Sequence, residues 1–158
     1  AYHISESQKG PLLRYLIKSK NLTQVLVFTS STYKADNVAN KLRKNGIEAS
    51  AIHSKKSQGA RTKALQQFKS GEVSVLVATD LLARGVDIDS LPYVINYELP
   101  RSPKDHVHRI GRTGRAEASG HAISFITEED KQHFRTIQKK MGKWVNMNDG
   151  EGLDLTRY

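Results

Sequence analysis

Nearly unbroken runs of β-branched and apolar residues, each followed by a helix-like pattern, constrain this fold most. Gln24–Ser30 (QVLVFTS) and Val73–Ala78 (VSVLVA) carry apolar side chains without strict alternation. A strand solvated on one face alternates. A short run that does not alternate reads as a strand buried on both faces, as in a parallel sheet covered by helices. Tyr93–Tyr97 reads the same way, Glu48–His53 and Gly120–Thr127 as further strands, and Tyr2–Ser5 as an edge strand.

Helical periodicity fills the intervals. Ser31 or Thr32 is suited to cap a helix with Ala35, Val38, Ala39 and Leu42 at i, i+3, i+4 and i+7, ended by Gly46. Ser57 is suited to cap a second, carrying Ala60, Ala64, Leu65 and Phe68 and ended by Gly71. Leu12, Leu13, Leu16 and Ile17 mark a first helix and Glu128–Met141 a last one, while Asn146–Tyr158 reads as a loose tail or linker. Strand–helix alternation predicts an α/β domain with helices on both faces of a mainly parallel sheet. It spans residues 1–145, with 146–158 as the tail. Ligands of such sheets sit at the carboxyl ends of the strands.

Composition excludes several classes. The chain has 158 residues and no Cys, so disulfides and thiolate metal sites are absent. Its six His show no metal-site context; His106 and His108, two apart, point to different sides of a helix. No apolar run reaches membrane-spanning length and no signal peptide is apparent, so a cytoplasmic (or nuclear) protein is expected, without membrane partners. The net charge of +9 favours a polyanionic partner.

Chemistry concentrates in two stretches. In His108-Arg109-Ile110-Gly111-Arg112-Thr113-Gly114-Arg115, arginines recur every third residue with glycines between. Guanidinium groups meet phosphate bidentately, and glycine allows close turns. The stretch is either a phosphate site or a solvated basic turn. Before it, Ser102-Pro103-Lys104-Asp105 reads as a helix start, which places Arg112 and Arg115 on the loop beyond that helix. In the other stretch, Ala78-Thr79-Asp80-Leu81-Leu82-Ala83-Arg84-Gly85-Val86-Asp87-Ile88, Thr79 and Asp80 leave a buried strand. Asp87 is suited to accept hydrogen bonds, for example from a ribose hydroxyl, and Asp80 is suited equally to capping or to ligand contact.

Together, ATDLLARGVDI and HRIGRTGR, with VINYELP between them, resemble motifs V, Va and VI of the DEAD-box RNA helicases. VLVFTSS resembles motif IV and SQGAR motif IVa, so the resemblance runs from about Gln8 to Met141. The wording of IHSKKSQGART and HRIGRTGR is closest to the RhlE-like branch. Neither a Gly-x-x-x-x-Gly-Lys-Ser/Thr loop nor an Asp-Glu-Ala-Asp box occurs. In the family both belong to the N-terminal lobe, so the chain resembles the C-terminal lobe alone, with a RecA-like three-layer α/β/α fold.

The resemblance implies a role for each matching residue. Arg112 and Arg115 match arginine fingers on the nucleotide phosphates, Asp87 the ribose contact, and Gly85 the turn beside the nucleotide. His108 and Arg109 match residues that couple the two lobes. Ser30, Ser31, Gln58, Arg61, Thr79 and Arg84 match positions facing the RNA backbone. The implied substrate is ATP with Mg2+, the metal being held mainly by the absent lobe. Implied partners are RNA, bound without sequence preference, and the N-terminal lobe; the piece alone is expected to be monomeric and inactive. The competing classes are a binding module without turnover and a DNA helicase of the same superfamily.

One departure stands out. Ser54 and Lys55 occupy positions where the family commonly has Gly and then Asn or Asp. A required positive φ at Ser54 would cost about 1 kcal/mol, or the loop takes another path. Phe134 and Trp144 are expected in core or interlobe packing, His3, His121 and His133 as surface or structural residues, and Lys139, Lys140 and Lys143 as a solvated face.

Overall fold

A computed structural model describes residues 1–79, 93–100, 121–142, 144 and 147–158. Seven strands form one parallel sheet in the order β3-β4-β2-β5-β6-β1-β7. They are β1 (Tyr2–His3), β2 (Val25–Thr29), β3 (Ala49–Ile52), β4 (Val75–Thr79), β5 (Tyr93–Asn96), β6 (His121–Ile126) and β7 (Asn148–Asp149). The described helices are α1 (Lys9–Ser19), α2 (Thr32–Lys44), α3 (Gln58–Ser70) and α4 (Lys131–Met141).

Sequence chemistry explains where these helices begin and stop. Ser31 caps α2 by accepting the Lys34 N–H at 3.1 Å, and Ser57 caps α3 by accepting the Ala60 N–H at 3.1 Å. Gly71 and Gly142 end α3 and α4 in the left-handed region, at φ 90° and 69°. Every residue of β2 and β4 is buried. One core gathers α1 and α2 with one side of the sheet; a second, around Phe28, Phe68 and Leu76, joins α3 to the other. The three-layer expectation holds. Asn96 and Ser124, opposite one another in register, are bonded through Nδ2 and Oγ at 3.0 Å inside the sheet. Phe134 is buried as expected, whereas Trp144 is 63% exposed and is not core. Among the described residues no helix is long and apolar enough to cross a membrane.

Two expectations change. The described part of the tail, residues 147–158, is not loose, and β1 is consequently not at the sheet's edge. β7 pairs with β1, and the Asn148 N–H donates to the Ala1 carbonyl at 2.8 Å. Leu155 is buried, Arg14 Nε donates to the Tyr158 carbonyl at 2.6 Å, and Tyr158 meets Tyr15 edge-to-face at 5.5 Å. The dock needs Gly150, where a Cβ would lie 2.9 Å from the His3 carbonyl oxygen and 2.9 Å from Ile4 Cδ1. Gly150→Ala is expected to destabilise the domain by about 1–3 kcal/mol through overpacking. It should also speed hydrogen exchange at the Asn148 amide. Urea unfolding and exchange indistinguishable from the parent chain would show that this close approach does not hold the segment.

Candidate functional site

The parallel register sets the place of the site. Thr29 lies opposite Thr79, so β2 and β4 end level with one another. Ser30 and Ser31 continue from β2 into the first turn of α2, and β4 ends at the same edge with Thr79, beyond which Asp80 to Ile88 lie outside the described residues. β3 ends there as well, with Ile52 opposite Ala78. The loop after it turns into α3, whose first residue is Gln58 and whose first turn bears Arg61. Thus Ser30, Ser31, Gln58, Arg61 and Thr79 share the carboxyl edge of the β3-β4-β2 half. Arg84, Gly85, Asp87, His108, Arg109, Arg112 and Arg115 lie outside the described residues.

Hydrogen bonding on this edge has a consistent sense: its acceptors are used internally. Ser31 Oγ and Ser57 Oγ accept the cap N–H groups, and Gln58 Oε1 accepts from Arg61 Nη2 at 2.8 Å. The Ser30 N–H donates to Glu98 Oε1 at 2.9 Å. Donor capacity is left over. The serine hydroxyl protons remain, and Arg61 Nε is shielded from solvent without a partner among the described residues. An unmatched guanidinium N–H is costly unless a ligand acceptor meets it. Two helix N-termini, positive ends of their dipoles, open on the same edge.

The loop between β3 and α3 is organised by a pair that sequence reading missed. His53 is buried, and its Nε2 lies 3.1 Å from Asp36 Oδ1 of α2. The Lys55 N–H donates to His53 Nδ1 at 3.2 Å, which makes Nδ1 the acceptor and Nε2 the protonated nitrogen. Lys56 Nζ joins Asp36 Oδ1 at 3.4 Å. Among the described residues, positive φ outside glycine occurs at Asn21 and Gln24 and not at Ser54, so of the two expected outcomes the loop takes the unstrained path. No motif signals the His53–Asp36 pair, because its members come from different elements. His133 is a structural histidine, its Nε2 2.7 Å from the Pro100 carbonyl, and His3 pairs with Glu128 at the surface. Among the described residues no group of His, Asp and Glu is suited to hold a metal ion.

Residues 8–117 of this parallel, three-layer α/β domain match the helicase conserved C-terminal domain family. The chain belongs to that family, and within it to the DEAD-box RNA helicases. The solved E. coli DEAD-box protein SrmB, bound to regulator of ribonuclease activity A, superposes with TM-score 0.87 at 34% identity, over 93% of this chain and 87% of that one. S. cerevisiae Dbp5, bound to RNA and ADP BeF3, superposes with TM-score 0.83 at 31% identity, over 94% and 40%. The ATP-dependent RNA helicase dbp2 of Neurospora crassa is 36% identical over 98% of this chain, which spans 28% of that protein's length.

Burial pushes the Asp36 carboxyl up, but the hydrogen bonds from His53 and Lys56, with the Lys56 charge, outweigh it and hold the group below its ordinary 3.8. A depressed carboxylate stabilises the fold above the unfolded pKa, and that contribution fades as pH falls through the folded value. Asp36→Asn is therefore expected to lower stability at pH 7 by under about 1 kcal/mol, given the solvent screening of this half-exposed group. The gap should close toward pH 3. Urea midpoints at both pH values check this, and a gap independent of pH would refute it.

Proposed function

We propose that this chain is the C-terminal lobe of an ATP-dependent RNA helicase, supplying half of an ATP site and half of an RNA site. The observation that carries the RNA half is the carboxyl edge, where two distant segments, residues 30–31 and 57–61, bear hydrogen-bond donors while the Ser31, Ser57 and Gln58 acceptors are internally engaged. Phosphate oxygens are acceptors, so such an edge suits a sugar–phosphate backbone and ignores base identity. Ser30, Ser31, Gln58, Arg61, Thr79 and Arg84 are the backbone contacts in this reading. The ATP half rests on residues 84–87 and 108–115, whose wording matches the family motifs, and on the relatives' activity as ATP-dependent helicases. In this reading the chain falls in the RhlE-like branch, which the wording of residues 52–62 and 108–115 supports.

Each group then has a task. Arg112 and Arg115 neutralise charge developing on the transferred phosphoryl group, Asp87 holds the ribose, and Gly85 lets backbone approach the nucleotide. His108 and Arg109 couple this turn to the N-terminal lobe, which also holds the Mg2+ that neutralises the phosphates. Closure of the lobes bends one RNA strand and opens a short duplex. Residues 1–145 carry this work, and the lobe by itself does not turn over ATP.

Arg112→Ala in the full-length parent is expected to lower RNA-stimulated ATP hydrolysis about a thousandfold or more, the scale of an arginine finger. Unchanged turnover in the mutant would remove the finger assignment. Equal stimulation by DNA would move the protein to another helicase class, and no turnover of the parent under any condition would leave a binding module. Arg61→Ala is expected to weaken single-stranded RNA binding by this lobe and to reduce the slope of log K against log salt by about 0.7, one phosphate contact. An unaltered slope would take Arg61 off the RNA path.

A further inference from the structure

On the sheet face opposite α3, α1 and α2 run side by side and leave a recess of about 100 Å3 between them. At about 30 Å3 per water, that is room for some three waters or one phosphate group. Its polar lining comprises Arg14 of α1, Lys34, Asn37 and Lys41 of α2, and Tyr97 just beyond β5. Lys34, Asn37 and Lys41 are spaced to form one stripe of α2. Among the described residues no carboxylate lines the space. The nearest acid pairing is Glu6, which binds Lys9 at 3.0 Å and reaches Lys34 only at 3.8 Å.

Several details mark this as more than a solvated basic face. Like charges gathered around a small volume repel unless an anion joins them. Arg14 is fixed in place, since its Nε donates to the Tyr158 carbonyl, which leaves both terminal amino groups for a ligand. Its pKa is drawn down by partial burial, the sign of a cation short of solvent. Gly10 forms one wall, and a Cβ there would lie 3.3 Å from Arg14 Nη1 and 3.7 Å from the Tyr97 hydroxyl. The bare glycine thus keeps open the spot where these groups meet. Burial, with Glu6 and Glu98 nearby, pushes the Tyr97 phenol up to about 12, so it keeps its proton and remains a donor.

We propose that the recess between α1 and α2 is a binding site for a terminal phosphate group, free or on a small monoester, held by Arg14, Lys34, Lys41, Asn37 and Tyr97. A terminal phosphate brings close to two charges and three free oxygens, a match for three cations and two neutral donors. A phosphodiester within an RNA strand offers one charge and two free oxygens, a poorer match. The site is independent of the RNA and ATP reading, so either can fail without the other.

The test is titration of this isotopically labelled chain with glycerol 2-phosphate, inorganic phosphate or sulfate at constant ionic strength, following backbone amide shifts. Saturating shifts at Gly10, Arg14, Asn37 and Lys41 are expected with the phosphates, with no saturation along the basic stripe of α4. Arg14→Gln/Lys41→Ala and, separately, Gly10→Ala should each weaken binding about tenfold, as expected for a lost charge-assisted hydrogen bond or a blocked cradle. The affinity ratio of ester to free phosphate identifies the source. Equal shifts on α4, equal binding of sulfate, or variants that bind like the parent chain would overturn the proposal. So would displacement of phosphate by oligouridine together with a matching loss of RNA affinity in the variants, since the recess would then belong to the RNA path.

Discussion

The parallel pairing of β2 with β4 is the constraint on which the rest of this domain depends. Both strands are buried throughout, and their register runs from Val25 opposite Val75 to Thr29 opposite Thr79. It is pinned at the amino edge, where the Val25 N–H donates to the Ser74 carbonyl at 2.8 Å and the Ser74 N–H to the Glu48 carbonyl at 3.0 Å. A strand rises about 3.3 Å per residue, so a slip of one position would move Ser30 past Thr79 by a full hydrogen-bond length. Everything that meets at the carboxyl edge inherits its alignment from these backbone bonds.

How much of this was legible follows from what kind of signal each feature leaves. Strands buried on both faces announce themselves by uninterrupted apolar runs, so β2, β4 and β5 appear in the sequence to within a residue or two at each end. Helix caps are equally local: Ser31 and Ser57 cap where their hydroxyl chemistry says they should, and Gly71 ends α3. The docking of residues 147–158 leaves no such trace. β7 is two residues, Asn148–Asp149, held by main-chain bonds that any side chain permits, and its fit depends on Gly150 lying against β1. The His53–Asp36 pair was hidden for a different reason, because the tertiary fold alone brings a loop histidine to a helix carboxylate. At Ser54 the second of the two expected outcomes holds, a loop path without positive φ, while Asn21 and Gln24, in the connection from α1 to β2, do take left-handed conformations. Asparagine tolerates that region, whereas nothing in the identity of Gln24 predicts it.

The basic character of the chain is organised. Some of its cations are committed to the fold: Lys9 is buried against the Tyr97 ring at 5.7 Å and neutralised by Glu6, and Lys131 pairs with Glu128. Others, Arg14 and Lys41 beside the recess between α1 and α2, have no carboxylate partner among the described residues. A net charge of +9 therefore means different things at different positions. A committed lysine adds stability, whereas a concentrated unpaired group stores electrostatic energy that an anion releases.

The donor bias of the carboxyl edge follows from the same local rules that build the helices. A serine that caps a helix uses its oxygen as an acceptor, so what it still offers to a ligand is its proton. Capping and ligand contact are thus complementary uses of one hydroxyl. An edge assembled from caps is biased toward acceptors such as phosphate oxygens before any dedicated binding residue is added. Base edges carry mixed donors and acceptors and gain little from such a surface, whereas the repeating backbone gains at every residue. In the proposed RNA reading, indifference to sequence needs no separate device, because it follows from folding serine caps to the carboxyl ends of a parallel sheet.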